Sequence, residues 1–349
     1  MADVTINFDS LRRPVRGGDR EPGPYPYYGA SGVVDQVANY IFDGDYLLVA
    51  EDGENLRSRT TPVAFMARGK FWVNNHAHVV RANDLAVTEF LAYALSVADL
   101  TGYLSGSTLP KLTQAAMNSI RLDLPPLPTQ RAIAEVLGAL DDKIAANNGV
   151  VRGLDELLEA EFLVVQRDAD TGARLGDLVA LRYGKALPAT ARVPGRVQVF
   201  GSGGVAGTHA ERLCQGPGII VGRKGTVGAV YWSDDDFYPI DTVFYVESLA
   251  GLALEYLYFL LRSLGLNELN SDSAVPGLNR DQAYAQPVRV GRDQDVARFN
   301  ALARVLFARR AQASRESVAL AELRDTLLPH LMSGRLSVRE AETQVEEVL

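Results

Sequence analysis

The stretch YYGASGVV at residues 27–34 comes back 172 residues later as VFGSGGVA at 199–206. Gly29, Gly32 and Val33 fall on Gly201, Gly204 and Val205, and LLVAEDG (47–53) lies over IIVGRKG (219–225), with Gly53 on Gly225. The offset then shrinks to 166, where Phe90, Leu91 and Leu95 fall on Tyr256, Leu257 and Leu261, and STLPKL (107–112) lies over SAVPGL (273–278). At the same offset Leu122 and Leu124 match Val288 and Val290, and Leu154 and Leu157 match Leu320 and Leu323. A register this long marks a tandem duplication, so the chain must fold as two copies of one unit.

Each copy has two parts. Short alternating runs bounded by turn residues (DYLLVAEDG, FWVNNHAHVV; GIIVGRKGTVGAVYW, DTVFYV) read as strands and hairpins. A shorter helical stretch follows (TEFLAYALSVADL, LALEYLYFLLRSL), which predicts an α+β module. After it the apolar positions run Ile133, Leu137, Leu140, Ile144, Asn147, Val151, Leu154, Leu158, a heptad seam entered through LPPLPTQ (124–130). Gly149 and Gly153 weaken it by roughly 1 kcal/mol each against alanine. The second copy of the helix is less regular, with Phe299, Leu302, Leu306, Leu320, Leu323 and Leu327 on its apolar side. The expected fold class is therefore α+β: two similar modules, 1–127 and 169–294, separated and joined by two long antiparallel coiled-coil helices, 128–168 and 295–349, with a pseudo-two-fold internal repeat. At about 1.5 Å per residue, a helix of roughly 40 residues spans on the order of 60 Å and would hold the modules apart. Asn147 either fixes the register of the pair or marks a frayed, solvated turn near Gly149.

Composition limits what such a pair of modules can be. Apolar residues make up 47% and charged residues 22%, as in globular proteins. No apolar run approaches a membrane span and MADVTINFDS lacks signal-peptide character, so a cytoplasmic protein is expected. The net charge of −8 divides as −3, −4, −1 and 0 over 1–127, 128–168, 169–294 and 295–349, leaving the modules near neutral. Cys214 has no second cysteine for a disulfide or a Cys-based zinc site and reads as a small buried apolar residue. His76 and His78 in NNHAH share a face if that segment is a strand, but no third metal ligand accompanies them; packing, or a contact to nucleic acid, fits them better. GSGGVAG (201–207) has GASGVVD as its counterpart, and neither leads into a helix, which favours turn glycines over a cofactor loop.

Three segments resemble a known family. LPPLPTQRAIAEVLGALDDKIAANN (124–148) resembles the central conserved region of type I restriction-modification specificity subunits, and LRDTLLPHLMSGRL (323–336) their C-terminal conserved region. YPYYGASGVVDQVANYIFDGDYLLVAEDGENL (25–56) is similar to a common form of their target recognition domain. The resemblance implies a subunit without catalysis or cofactor of its own, whose two recognition domains each read half of a bipartite target in double-stranded DNA. The helices would set the gap and dock two methyltransferase subunits. S-adenosylmethionine, ATP and magnesium would belong to these and to restriction-translocase subunits. In agreement, the chain has no Asn-Pro-Pro-aromatic or Asp-Pro-Pro-Tyr segment for adenine methylation and no GxxxxGK[ST] phosphate loop. The helix-pairing and subunit-interface residues expected are Ile133, Leu137, Leu140, Ile144, Val151, Leu154, Leu158, Phe299, Leu302, Leu306, Leu320, Leu323 and Leu327.

Base readers are sought where the copies diverge within a shared frame, in EDGENLRSR (51–59) against RKGTVG (223–228) and in KLTQ (111–114) against GLNR (277–280). Arginine and lysine suit guanine, and asparagine suits adenine. The candidates are Arg57, Arg59, Asn74, Asn75 and Lys111 in the first module and Lys185, Arg223, Lys224, Asn279 and Arg280 in the second; each is also a plausible solvated or turn-forming residue. A coiled-coil scaffold that binds only proteins, which the net acidity would suit, is the alternative function.

Overall fold

The computed structural model describes residues 1–269 and 277–348. Residues 273–276, part of the SAVPGL match, lie outside the described residues. Two compact units form: residues 1–146 with 317–349, and residues 147–316. Each contains one α+β module and half of each long helix.

In the first unit the strands are β1 (Thr5–Asn7), β2 (Tyr25–Gly29), β3 (Gly32–Val37), β4 (Phe42–Asp43), β5 (Tyr46–Ala50), β6 (Ala64–Ala67), β7 (Lys70–Val73) and β8 (Ala77–Ala82). They make two sheets, ordered β1-β8-β5-β6 and β3-β2-β7-β4. The helices are α1 (Asn55–Ser58), α2 (Thr88–Val97), α3 (Gln114–Ser119) and the start of α4 (Leu127–Arg167). The second unit continues with β9 (Asp170–Arg174), α5 (Leu175–Leu178), β10 (Val179–Tyr183), β11 (Val197–Gly201), β12 (Gly204–His209), β13 (Gly218–Gly222), β14 (Val230–Ser233), β15 (Phe237–Pro239) and β16 (Val243–Ser248). It ends with α6 (Leu254–Ser263), α7 (Arg280–Tyr284), β17 (Pro287–Val290) and most of α8 (Asp293–Met332). Its sheets are ordered β10-β16-β13-β14 and β12-β11-β15, beside a two-stranded β17-β9 ribbon.

The duplication thus reaches strand order. β1, β8, β5 and β6 correspond to β10, β16, β13 and β14, and β2 pairs in parallel with β7 as β11 does with β15. The cores match position by position: Leu47, Val49, Val80, Leu91 and Leu95 in one, and Ile219, Val221, Val246, Leu257 and Leu261 in the other. Fully burying such a side chain contributes ~1.5–3 kcal/mol, which is why these positions survive divergence. The opening repeat is a hairpin in both copies. Its register breaks between Tyr27 and Tyr28, and at the equivalent step between Val199 and Phe200, and it closes on Gly29 opposite Gly32 and Gly201 opposite Gly204. Gly32 and Gly204 sit at φ +119° and +98°, a turn conformation in which a side chain would be strained.

The long helices behave as the seam demands. α4 is entered through proline: the Pro126 carbonyl accepts from the N–H groups of Thr129 and Gln130. The buried Gln130 side chain bonds the Val87 N–H and the Pro125 carbonyl, tying the helix to the start of α2. In the first unit Ile133, Val136, Leu137 and Leu140 of α4 pack with Leu320, Leu327, Leu328 and Leu331 of α8, Phe90 and Ala94 of α2, and Ala341 and Val345 of α9 (Val338–Glu346). Ile144 and Leu323 border this cluster. In the second unit Leu158, Phe162 and Val165 pack with Val296, Phe299, Ala303 and Phe307, and Leu306 borders them. The pairing there is antiparallel, since Asp155 meets Arg310 at 3.4 Å and Glu161 meets Arg298 at 3.9 Å. Val151 and Leu154 are half-buried, as is Leu302, but Leu302 lies outside the core, its place filled by Ala303.

Two expectations are corrected. α8 is not irregular: Val296, Phe299, Ala303, Leu306, Arg310, Ala313, Ser317, Leu320, Arg324, Leu327 and Leu331 follow alternating steps of three and four, with polar residues at three of the stations. Asn147 does not mark a frayed turn. It is 3% exposed within an unbroken helix, and its Nδ2 has no hydrogen-bond partner among the described residues. No helix among the described residues is long and apolar enough to cross a membrane.

Candidate nucleic-acid interface

The divergent segments chosen from the sequence are neighbours in each unit, on one main-chain frame. In the first, the Glu51 N–H donates to the His76 carbonyl at 2.9 Å, and the Glu51 carbonyl accepts from the Leu112 N–H at 2.7 Å. In the second, Arg223 repeats both bonds, to the Thr242 carbonyl at 2.9 Å and from the Leu278 N–H at 2.8 Å. Asp52 bridges Lys111 as Lys224 bridges Gly277. Gly53 and Gly225 follow at φ +113° and +82°. The frame is shared, while the side chains on it reverse charge, from Glu51 to Arg223.

In the first unit, the cations near this frame are bound by the protein. Glu51 holds Arg12 Nη1 at 2.7 Å and Lys111 Nζ at 3.3 Å. Burial would raise its carboxyl, but bonds from Arg12 and Lys111 and the nearby His78 and Arg12 charges bring it below the usual value. Behind it Asp9 accepts from His78 Nδ1 at 2.6 Å and from the Val79 N–H at 2.8 Å. Burial opposes the charge on Asp9 too, and these bonds overcome it, leaving the carboxyl below its usual value. His78 Nε2 faces the Leu112 carbonyl at 2.8 Å, so this ring ties β8 to the second loop.

The individual candidates differ in how free they are. Arg57 is exposed and reaches the Gly106 carbonyl. Arg59 donates to the Ser96 and Ala98 carbonyls at the end of α2, which occupies its guanidinium. Asn74 is buried and its Oδ1 accepts from the His76 N–H. Asn75 is exposed at the turn between β7 and β8, and Lys111 is exposed above Glu51. His76 and His78 do not form one strand face: His76 lies in that turn against Asp52 at 2.9 Å, whereas His78 is buried in β8. Among the described residues no cluster of three or more His, Cys, Asp or Glu could hold a metal. Burial pushes the Cys214 thiol up to about 11, away from a nucleophilic thiolate.

The second unit is different in kind. Tyr183 packs against Phe244 at 5.0 Å with the rings tilted by 54°, at the positions held by Asp9 and His78 in the first. The guanidinium carbons of Arg223 and Arg280 both lie over the Tyr183 ring, at 5.1 and 5.2 Å. Arg223 also donates through Nε and Nη2 to the Asp241 carbonyl. Asn279 caps α7, accepting from the Asp281 and Gln282 N–H groups, and so positions Arg280. Lys185 and Lys224 are exposed. No carboxylate among the described residues lies within 4.0 Å of Lys185, Arg223, Lys224 or Arg280. Sequence reasoning missed Arg12, Glu51 and Tyr183. The charge reversal at offset 172 pointed to Glu51, but nothing local marks Arg12, which joins from 39 residues away.

Comparison with known proteins agrees with this architecture. Residues 5–154 match the family model of the type I restriction modification DNA specificity domain. A Haemophilus influenzae protein named as a type I restriction enzyme specificity subunit is 36% identical over 140 residues, covering 40% of this chain and 36% of that protein. The specificity subunit of the type I restriction enzyme MpnII from Mycoplasma pneumoniae is 29% identical over 143 residues, 40% of this chain and 41% of that one. The chain therefore aligns with well under two thirds of these relatives' lengths. The crystal structure of a type I restriction-modification system S subunit from M. genitalium superposes with a TM-score of 0.60 at 17% identity, covering 94% of this chain and 95% of that chain, and so shares the fold. Over its first module and the first part of α4, the chain is thus similar to the type I restriction-modification specificity family.

Proposed function

We propose that the chain is the DNA-sequence-specificity subunit of a type I restriction-modification complex, each module reading one half of a bipartite double-stranded target. The observation that carries this reading is the loop pair built twice on identical main-chain bonds with different side chains, Glu51 and Lys111 on one, Arg223 and Asn279 on the other. Two readers on one frame suit two different half-sites. Arg57, Arg59, Asn74, Asn75 and Lys111 are the candidate contacts of the first module, with Arg59 and Asn74 as supports. Lys185, Arg223, Lys224, Asn279 and Arg280 are those of the second.

In this reading the chain has no catalytic group. α4 and α8 set the gap between half-sites and dock two methyltransferase subunits, which bring S-adenosylmethionine to adenine. Restriction-translocase subunits, working with ATP and magnesium, complete the complex in the cytoplasm. The near-neutral modules fit a division of labour in which partner subunits supply much of the phosphate affinity.

Adenine-methylation mapping of cells with and without the gene tests the proposal. A split methylated motif that vanishes on deletion is expected. If the purified chain with its methyltransferase partner shows no salt-sensitive binding to any duplex, the protein-only scaffold is the better reading.

A further inference from the structure

The two modules do not offer DNA the same chemistry. At the first, Arg12 and Lys111 are held by Glu51, and Gln114 stands where the second module has Arg280. At the second, two guanidiniums share the face region of one tyrosine, with no carboxylate among the described residues within 4.0 Å. Like charges gathered with no counter-charge among the described residues, in a chain of net charge −8, stand ready for an acceptor from outside.

The two arginines are not equivalent. Arg223 is anchored by both Nε and Nη2 on the Asp241 carbonyl. Arg280 has no hydrogen-bond acceptor among the described residues, yet it is half-buried and flanked by Tyr183 at 5.2 Å and Tyr284 at 6.0 Å. A planar cation steadied by rings keeps the edge of its fork in one orientation, which matches the paired O6 and N7 acceptors of guanine in the major groove. Lys185 and Lys224, exposed and flexible, suit phosphate instead.

We propose that Arg280, steadied on Tyr183 beside Arg223, reads a guanine in the half-site of the second module, and that the first module has no counterpart to it. The assignment rests on the DNA-specificity reading above. Its shared chemistry, a pair of oxygen or nitrogen acceptors, is also offered by the DNA backbone, and the experiment separates the two.

The chain, assembled with its methyltransferase subunits, is tested as wild type, Arg280→Ala and Arg280→Lys, by methylation mapping and by binding to duplexes carrying 7-deazaguanine at single guanines. Wild type should lose about 10- to 100-fold in affinity at one guanine of one half-site when N7 is removed. Arg280→Ala should lose nothing further there, and its motif should relax at that base pair alone. Arg280→Lys, which keeps the charge without the fork, should relax in the same way, and it carries the test if the alanine variant does not fold. An unchanged motif in either folded variant overturns the assignment. So does a uniform loss across all duplexes with a salt slope shallower by about one, the mark of a phosphate contact. If the wild-type complex binds no sequence selectively, the specificity reading itself falls; if it does bind selectively, only the role of Arg280 is at stake.

Discussion

Asp9 is the residue on which the first module's interface leans. Its carboxylate receives His78 and the Val79 N–H and lies 3.4 Å from Arg12, which in turn holds Glu51. Both carboxyls lie below their ordinary values of 3.8 and 4.5 in the fold. Groups depressed in this way add stability above the ordinary value and lose it as pH falls through the folded one. Melting temperatures followed from pH 7 down to about pH 3 should therefore fall, and Asp9→Asn should melt lower at pH 7 with a flatter acid limb. An unchanged acid limb in that variant would sink the account. None of this network was legible beforehand. NNHAH looked like one strand face, but a turn at Asn75 and His76 separates the two histidines, and the partners of His78 come from sequence positions 69 and 34 residues away.

Helices were the most legible elements, and their polar stations the least. The seam of α4 could be read because every station but Asn147 is aliphatic, whereas Arg310, Ser317 and Arg324 interrupt that of α8 and conceal an equally regular spacing. α9 was overlooked although Ser337 and Glu340 form a capping box visible as S-x-x-E. Leu137 is fully buried while Leu157 is 44% exposed. Leu137→Ala should cost ~2–5 kcal/mol, and Leu157→Ala should stay within about 0.5 kcal/mol, by urea unfolding. Equal effects would contradict the packing described. Asn147 presents a buried Nδ2 with no partner among the described residues, so Asn147→Leu should leave stability unchanged or raise it; a clear loss would mean that this amide is bonded after all. Two of the cross-helix pairs also differ. Asp141 accepts from Arg324 at 2.6 Å and from the Tyr93 hydroxyl at 2.6 Å, whereas burial outweighs Arg310 and holds the Asp155 carboxyl above its usual value. Asp141→Asn should accordingly destabilise more than Asp155→Asn in the same titration.

At the scale of the whole molecule, the duplication carried most of the architecture, because offsets of 172 and 166 align strand for strand and core residue for core residue. α4 passes from one unit to the other at 146/147, and α8 at 316/317. Inserting one heptad into each helix at these points should lengthen the gap of the methylated motif and leave both half-sites as they were. Methylation mapping of that variant decides it: altered half-sites with an unchanged gap would refute the helices as a ruler. The paired main-chain bonds at Glu51 and Arg223 have a broader consequence. They constrain the backbone and leave the side chain unspecified, much as a typesetter's frame holds whichever letter is slotted in. Under the proposed function, single substitutions at such places would change the sequence read, and exchange of the loops between the two halves would need no new scaffold.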